Sequence, residues 1–130
     1  MYRAKTGNFE VCVEPIYLDA QSEPDLPRFV WAYRVRIENE GNEPARLMSR
    51  HWEIVDGLGR REVVDGAGVV GKTPLIAPGS SFEYHSGCPL ETPHGTMRGH
   101  YTMVDDAGRS FDIEIPPFSL DLPDHAPTLN

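Results

Sequence analysis

Between Pro27 and Gly41 the chain alternates in a strict period of two. Phe29, Trp31, Tyr33, Val35 and Ile37 fall on one side, and Arg34, Arg36 and Glu38 share the other with Val30 and Ala32. Successive side chains of a strand point to opposite faces, whereas a helix would scatter those five large groups around its circumference. The segment therefore reads as a strand with one face in a core. A chain of 130 residues holding such a strand has room for one domain, spanning 1–130 with a core over about 8–118.

Shorter copies of the pattern follow. Phe9, Val11 and Val13 alternate with Glu10, Cys12 and Glu14; Phe82 and Tyr84 with Glu83 and His85; Tyr101 and Met103 with His100 and Thr102; and Phe111, Ile113 and Ile115 with Asp112 and Glu114. The stretch 45–56 could carry a helical face through Leu47, Met48, Trp52 and Val55, but a lone helix would leave its neighbours unpaired. It reads as a strand with a bulge. Val-Asp-x-x-Gly-Arg occurs twice, at 55–60 and 104–109. Asp can bond the backbone two residues on and Gly supplies the left-handed turn, so each copy joins two antiparallel strands. The count is seven strands, near 8–19, 28–40, 45–56, 60–65, 80–88, 97–104 and 110–116. Seven strands make an all-β, two-sheet antiparallel sandwich of immunoglobulin or fibronectin type III shape. The run Ile76-Ala77-Pro78-Gly79 before Phe82 suits a fibronectin-type corner, with Tyr84 as the hydroxyl that closes it. From Pro116 the prolines imply an extended tail, occupying 119–130 beyond the core.

A net charge of −8 gives neither nucleic acid nor an anionic membrane a reason to bind. The longest apolar run, Phe29 to Tyr33, is far too short to span a bilayer. No apolar stretch follows Arg3 and Lys5, so a secretory leader is not expected, and the location expected is the cytoplasm. Cys12 and Cys88 read as separate reduced thiols.

Gly66, Gly68 and Gly71 form G-x-G-x-x-G. In a dinucleotide fold such glycines open a helix that holds pyrophosphate, but Thr73-Pro74 and Pro78-Gly79 forbid a helix here. A nest of backbone N–H groups is a different way to hold an anion, and Arg60, Arg61 and Lys72 would add positive charge beside it. Among the histidines, His85 and His100 sit on outward strand faces and are the pair expected to meet if a metal binds; no spacing specifies a resident metal or a cofactor. No nucleophile elbow accompanies Ser80-Ser81, and an enzyme is not expected. The sparsely charged stretch 87–97 is a candidate apolar contact loop.

Taken together, GAGVVGKTPLIAPG (66–79), ETPHGTMRGHY (91–101) and IEIPPF (113–118) resemble the ApaG family of small bacterial proteins, and FVWAY (29–33) with RHW (50–52) agree. His94 departs from the apolar residue expected in that pattern. The resemblance runs from about residue 8 to 120. It implies a fibronectin type III-like sandwich without established enzymatic activity. It also implies a genetic link to cobalt and magnesium resistance and a gene-neighbourhood link to diadenosine tetraphosphate hydrolysis. Related eukaryotic domains act as protein-binding modules, and the family's G-x-G-x-x-G has invited a phosphate-binding suggestion.

The expected function is a non-catalytic, cytoplasmic protein-interaction module whose protein partner is unknown, with homodimerisation through an edge strand as one form of it. The alternatives are a binder of phosphate or pyrophosphate ligands at 66–72, and a sensor of divalent cobalt or magnesium.

Overall fold

The computed structural model describes residues 1–123, and its secondary structure is extended apart from one 3-10 turn at Asp19–Gln21. In chain order the strands are β1 (Tyr2–Thr6), β2 (Phe9–Tyr17), β3 (Phe29–Asn39), β4 (Ala45–Asp56), β5 (Arg61–Ala67), β6 (Leu75–Ile76), β7 (Ser81–Leu90), β8 (Gly95–Asp105) and β9 (Ser110–Leu120). One sheet has the order β1-β2-β3-β7, the other β5-β4-β8-β9, and β6 takes up the edge of β4 beyond the point where β5 leaves it. Every pairing is antiparallel. The two sheets stack as a sandwich.

The inner row of β3 makes the core. Phe29, Trp31, Tyr33, Val35 and Ile37 are all buried, and Tyr33 meets Trp52 of β4 at 5.3 Å and Phe118 of β9 at 6.1 Å between ring centroids. The expected bulge in β4 is present. Register shifts between Leu47 and Ser49, which turns Met48 outward and restores Trp52 to the inner face. The Val-Asp-x-x-Gly-Arg copies are twin hairpin turns. Asp56 Oδ1 accepts from the Leu58 and Arg60 amides and Asp105 Oδ1 from those of Ala107 and Arg109, with Gly59 at φ 81° and Gly108 at φ 80°.

Four expectations change. There are nine strands among the described residues rather than seven, because Gly7 (φ 57°) and Asn8 turn the N-terminus into a hairpin of β1 on β2, and because β6 adds a short pairing. The chain does not become a tail at Pro116. β9 continues to Leu120, burying Phe118 and Leu120, and the Trp31 indole donates to the Asp121 carbonyl at 2.9 Å. Of the expected tail, residues 124–130 lie outside the described residues. The apolar stretch 87–97 is mostly strand, and its remaining loop is pinned by Thr92, whose hydroxyl accepts from the Gly57 amide and donates to the His94 carbonyl. Tyr84 does not close the corner before β7. It bonds Tyr101 inside the core at 2.6 Å, and the corner is held by Asn39. That fully buried amide donates to the carbonyls of Glu43 and Ile76 and accepts from the Gly41 amide. A buried amide meets its needs this way only where three segments converge.

β1 and β9 close one side of the sandwich, with the Glu114 amide donating to Thr6 Oγ1 at 3.0 Å and the Tyr2 and Ser119 hydroxyls 3.4 Å apart. β5 and β7 flank a groove of about 290 Å³ on the other side and are the open edges. Phe118 is the clearest test of the C-terminal correction, because it packs against Tyr2, Tyr33 and Trp52 together. Phe118→Ala is expected to lose about 3–5 kcal/mol in denaturant unfolding; a loss below about 0.5 kcal/mol would return residues beyond Pro116 to a surface tail.

Candidate functional site

The 66–72 segment is a hairpin rather than a nest. Val69 and Lys72 exchange both backbone bonds, the Val69 amide to the Lys72 carbonyl at 2.8 Å and the reverse at 2.9 Å. Val70 (φ 44°) and Gly71 (φ 79°) occupy the two turn positions, the signature of a type I′ turn. The Gly68 amide is spent on the Met48 carbonyl. Within residues 68–72, the Val70 and Gly71 amides are the two without a hydrogen bond among the described residues. The groups that do converge are carbonyls, since Arg50 Nη1 donates to those of Ala67 and Gly68 at 2.9 and 2.8 Å.

Each glycine of the motif then has a steric reason. A Cβ on Gly66 would lie 2.6 Å from the Arg50 guanidinium, and one on Gly68 would run into the Lys72 carbonyl. Gly71 satisfies the second left-handed position of the turn. The expected cations are not assembled around the loop. Lys72 is on it, but Arg60 and Arg61 lie at the opposite end of β5, roughly 20 Å away at a strand's rise. Both are engaged there, Arg60 with Asp56 at 2.6 Å and Arg61 with Glu53 at 3.0 Å.

The histidine expectation also changes. His85 is opposite Arg34 in one sheet and His100 is in the other, on outer faces that point away from each other. The partner of His100 is His51, its direct neighbour across β4 and β8, and the two rings stack at 4.9 Å with 21° between planes. Register continues the row to Asp65 on β5 and Glu114 on β9. His51 Nδ1 is 2.6 Å from Asp65 and its Nε2 is 3.4 Å from Glu53, and the bond to Asp65 leads in raising the His51 pKa. Glu53 also receives Arg98 at 3.1 Å and Arg61 at 3.0 Å; with Arg98 foremost, these partners lower it from an ordinary 4.5 to about 2. Sequence spacing could not find this pair, because 49 positions of chain separate the partners and only the bulge at Met48 sets which residue of β4 meets His100.

Among the described residues the donors that converge in a group of three are Glu10, Glu38 and Glu40, on the outer face of the first sheet, and Lys5 Nζ already sits 2.8 Å from Glu40. Cys12 and Cys88 are free thiols. Burial pushes the Cys88 thiol up to about 11, which leaves it protonated and a poor nucleophile.

Residues 19–105 match the description of the ApaG domain. The chain is 54% identical over 130 residues to Protein ApaG of Mesorhizobium japonicum and 52% identical to that of Rhizobium meliloti, in both cases covering all of each chain. A crystal structure described as an ApaA protein of Bordetella pertussis is 51% identical, covering 88% of this chain and 94% of that one, with a TM-score of 0.86.

The Glu53 cluster sets an acid limb of stability. A carboxyl whose folded pKa is lowered stabilises the fold above its ordinary 4.5, and that contribution is lost as pH falls toward about 2. Urea unfolding across that window should show wild type losing stability faster than Glu53→Gln as pH falls; parallel profiles would deny the cluster that role.

Proposed function

The chain belongs to the ApaG family, and from that membership we propose that it is a non-catalytic protein-interaction module, acting in the cytoplasm on a protein partner through the end of the sandwich that carries Val70. The observation behind this is the conformation of Val70 itself. A β-branched residue at φ 44° is a steric outlier, and the left-handed region costs an L-residue about 1–2 kcal/mol. The first position of a type I′ turn is favoured by Asn, Asp or Gly, any of which would relieve the strain. Yet the residue is 54% exposed, so core packing does not explain it. Strain held in an exposed apolar side chain is consistent with use by something outside the fold.

The neighbourhood supports the same reading. Met48, turned out by the β4 bulge, is 40% exposed beside the loop, since its carbonyl takes the Gly68 amide. Leu75 is 53% exposed on β6, opposite Arg46. Exposed apolar side chains edged by Arg46 and Lys72 have the make-up of a contact surface. Val70→Asn should raise stability by about 1 kcal/mol in chemical unfolding and at the same time reduce partner capture by the tagged chain from cell extract. Lower stability would remove the strain argument; undiminished capture would remove the surface. The open edge of β7 offers a second copy the alternative of strand pairing, and a dimer in sedimentation of the purified chain would make the partner a second copy.

A divalent-cation role is the second reading, supported by the stacked His51 and His100. Asp65 on His51 Nδ1 is the arrangement in which a carboxylate orients a metal-ligating imidazole, with Nε2 turned toward Glu53, which Arg61 and Arg98 also hold. Cobalt(II) titration should then perturb the ring resonances of both histidines, and His51→Ala and His100→Ala should each abolish the response. Unmoved rings at millimolar cobalt would exclude it.

A further inference from the structure

Most cations of this molecule are paired. Of its 12 basic residues, Lys5, Arg34, Arg36, Arg60, Arg61, Arg98 and Arg109 each meet a carboxylate. The other five have no ion pair among the described residues, and three of these, Arg46, Arg50 and Lys72, are at the Val70 end. Residues 45–50 and 66–79, the start of β4 and the loop that folds onto it, contain those three cations and no acid, in a chain with 20 acidic residues. The acids that border them in the sheet are engaged, Asp65 by His51 and Asp105 by Arg109.

Hydrogen bonding at this end has the same bias. The Ala67 and Gly68 carbonyls accept from Arg50, that of Thr73 from Arg46 at 2.6 Å, and that of Pro74 from the Leu47 amide at 3.0 Å. Those of Val69 and Lys72 accept from each other's amides, so between 67 and 74 the Val70 and Gly71 carbonyls are the two without a partner among the described residues. The uncommitted groups are mostly donors: the Val70 and Gly71 amides, the Lys72 ammonium and the remaining N–H groups of the Arg46 guanidinium. Exposed Val70, Met48 and Leu75 sit among them, with Leu75 directly opposite Arg46. We propose that this surface takes an acidic segment of a protein partner, one that places Asp or Glu beside an apolar side chain. The inference rests on the contact surface proposed above and names the chemistry of its partner.

A carboxylate answers both features, supplying acceptors for the donors and the counter-charge that the cations lack, and bonds between ionised groups are the stronger kind. The net charge of −8 does not forbid the encounter. Exposed charges are screened beyond about 8 Å at physiological ionic strength, so an approaching carboxylate responds to the local cations rather than to the chain's total. The apolar side chains select the class of partner. Val70, Met48 and Leu75 gain from removal of water by another apolar group, which an acidic protein segment carries and a phosphodiester backbone does not.

The intact chain, labelled with 15N, would be titrated with the capped peptides Glu-Leu-Asp-Leu-Glu, Gln-Leu-Asn-Leu-Gln, Lys-Leu-Lys-Leu-Lys and Glu-Ser-Asp-Ser-Glu, and with inorganic pyrophosphate. Saturable shifts of the Val70 and Gly71 amides are expected, with Glu-Leu-Asp-Leu-Glu binding tightest and added salt weakening it. The Lys72 side chain makes no hydrogen bond among the described residues, so Lys72→Glu should keep the fold. That variant should weaken the acidic leucine peptide by at least about fivefold and strengthen the lysine peptide, a reversal that unfolding does not produce. No saturable shift, equal binding of the neutral or the serine peptide, tighter binding of pyrophosphate, or an unchanged order in Lys72→Glu would overturn the proposal. Capture from cell extract separates the two readings. Capture lost in Val70→Asn and unchanged in Lys72→Glu overturns the acidic partner alone, whereas capture indifferent to both variants overturns the contact surface with it.

Discussion

The structure depends on how β3 sits between two sheets. It is paired on both sides, by β2 and by β7, so its backbone polar groups are satisfied laterally and its inner row is free to face the second sheet. Tyr33 in that row reaches both Trp52 and Phe118, which fixes the distance and register between the sheets. Slipping β3 by one residue would bury Arg34 and Arg36 in place of Tyr33 and Val35. With that register set, β4 must bulge at Met48 if both Leu47 and Trp52 are to face inward, and the bulge in turn positions Arg50 under the 66–68 backbone.

Much of this was legible because alternation reports directly on burial. The inner row of β3, the span of β4 with its bulge, and the twin Asp turns are local features, encoded within a few residues of where they act. What was not legible depended on tertiary partners. β1 lacks a strong apolar row, since Arg3 and Lys5 alternate with Tyr2, Ala4 and Thr6, and it is a strand because β2 and β9 accept it. The prolines at 116 and 117 suggested an end to structure, yet β9 runs through them and Phe118 is drawn into an aromatic cluster. Asn39 carries no sequence signal of its role, which exists only where the end of β3, the following loop and β6 come together.

The candidate sites divide in the same way. The glycine spacing was visible, but its cause was not, because Arg50 and the Lys72 carbonyl arrive from outside the motif. Arg60 and Arg61 are close to the loop in sequence and distant in space, since an intervening strand carries them to the other end of the sandwich. His51 and His100 show the reverse, far apart along the chain and stacked in the sheet. Proximity in a β-sandwich follows register, and register is a property of paired strands.

Where the local rules are broken, at Val70, the departure is on the surface and apolar, which is why the proposed function centres on that end of the molecule. The most direct test is site-specific photocrosslinking in cells, with a photoreactive residue placed at Val70 and, as a control, at Val63, another exposed valine on β5. A discrete adduct of defined mass from position 70 and none from position 63 is the result this account predicts. Equal labelling from both positions, or none from position 70, would contradict it.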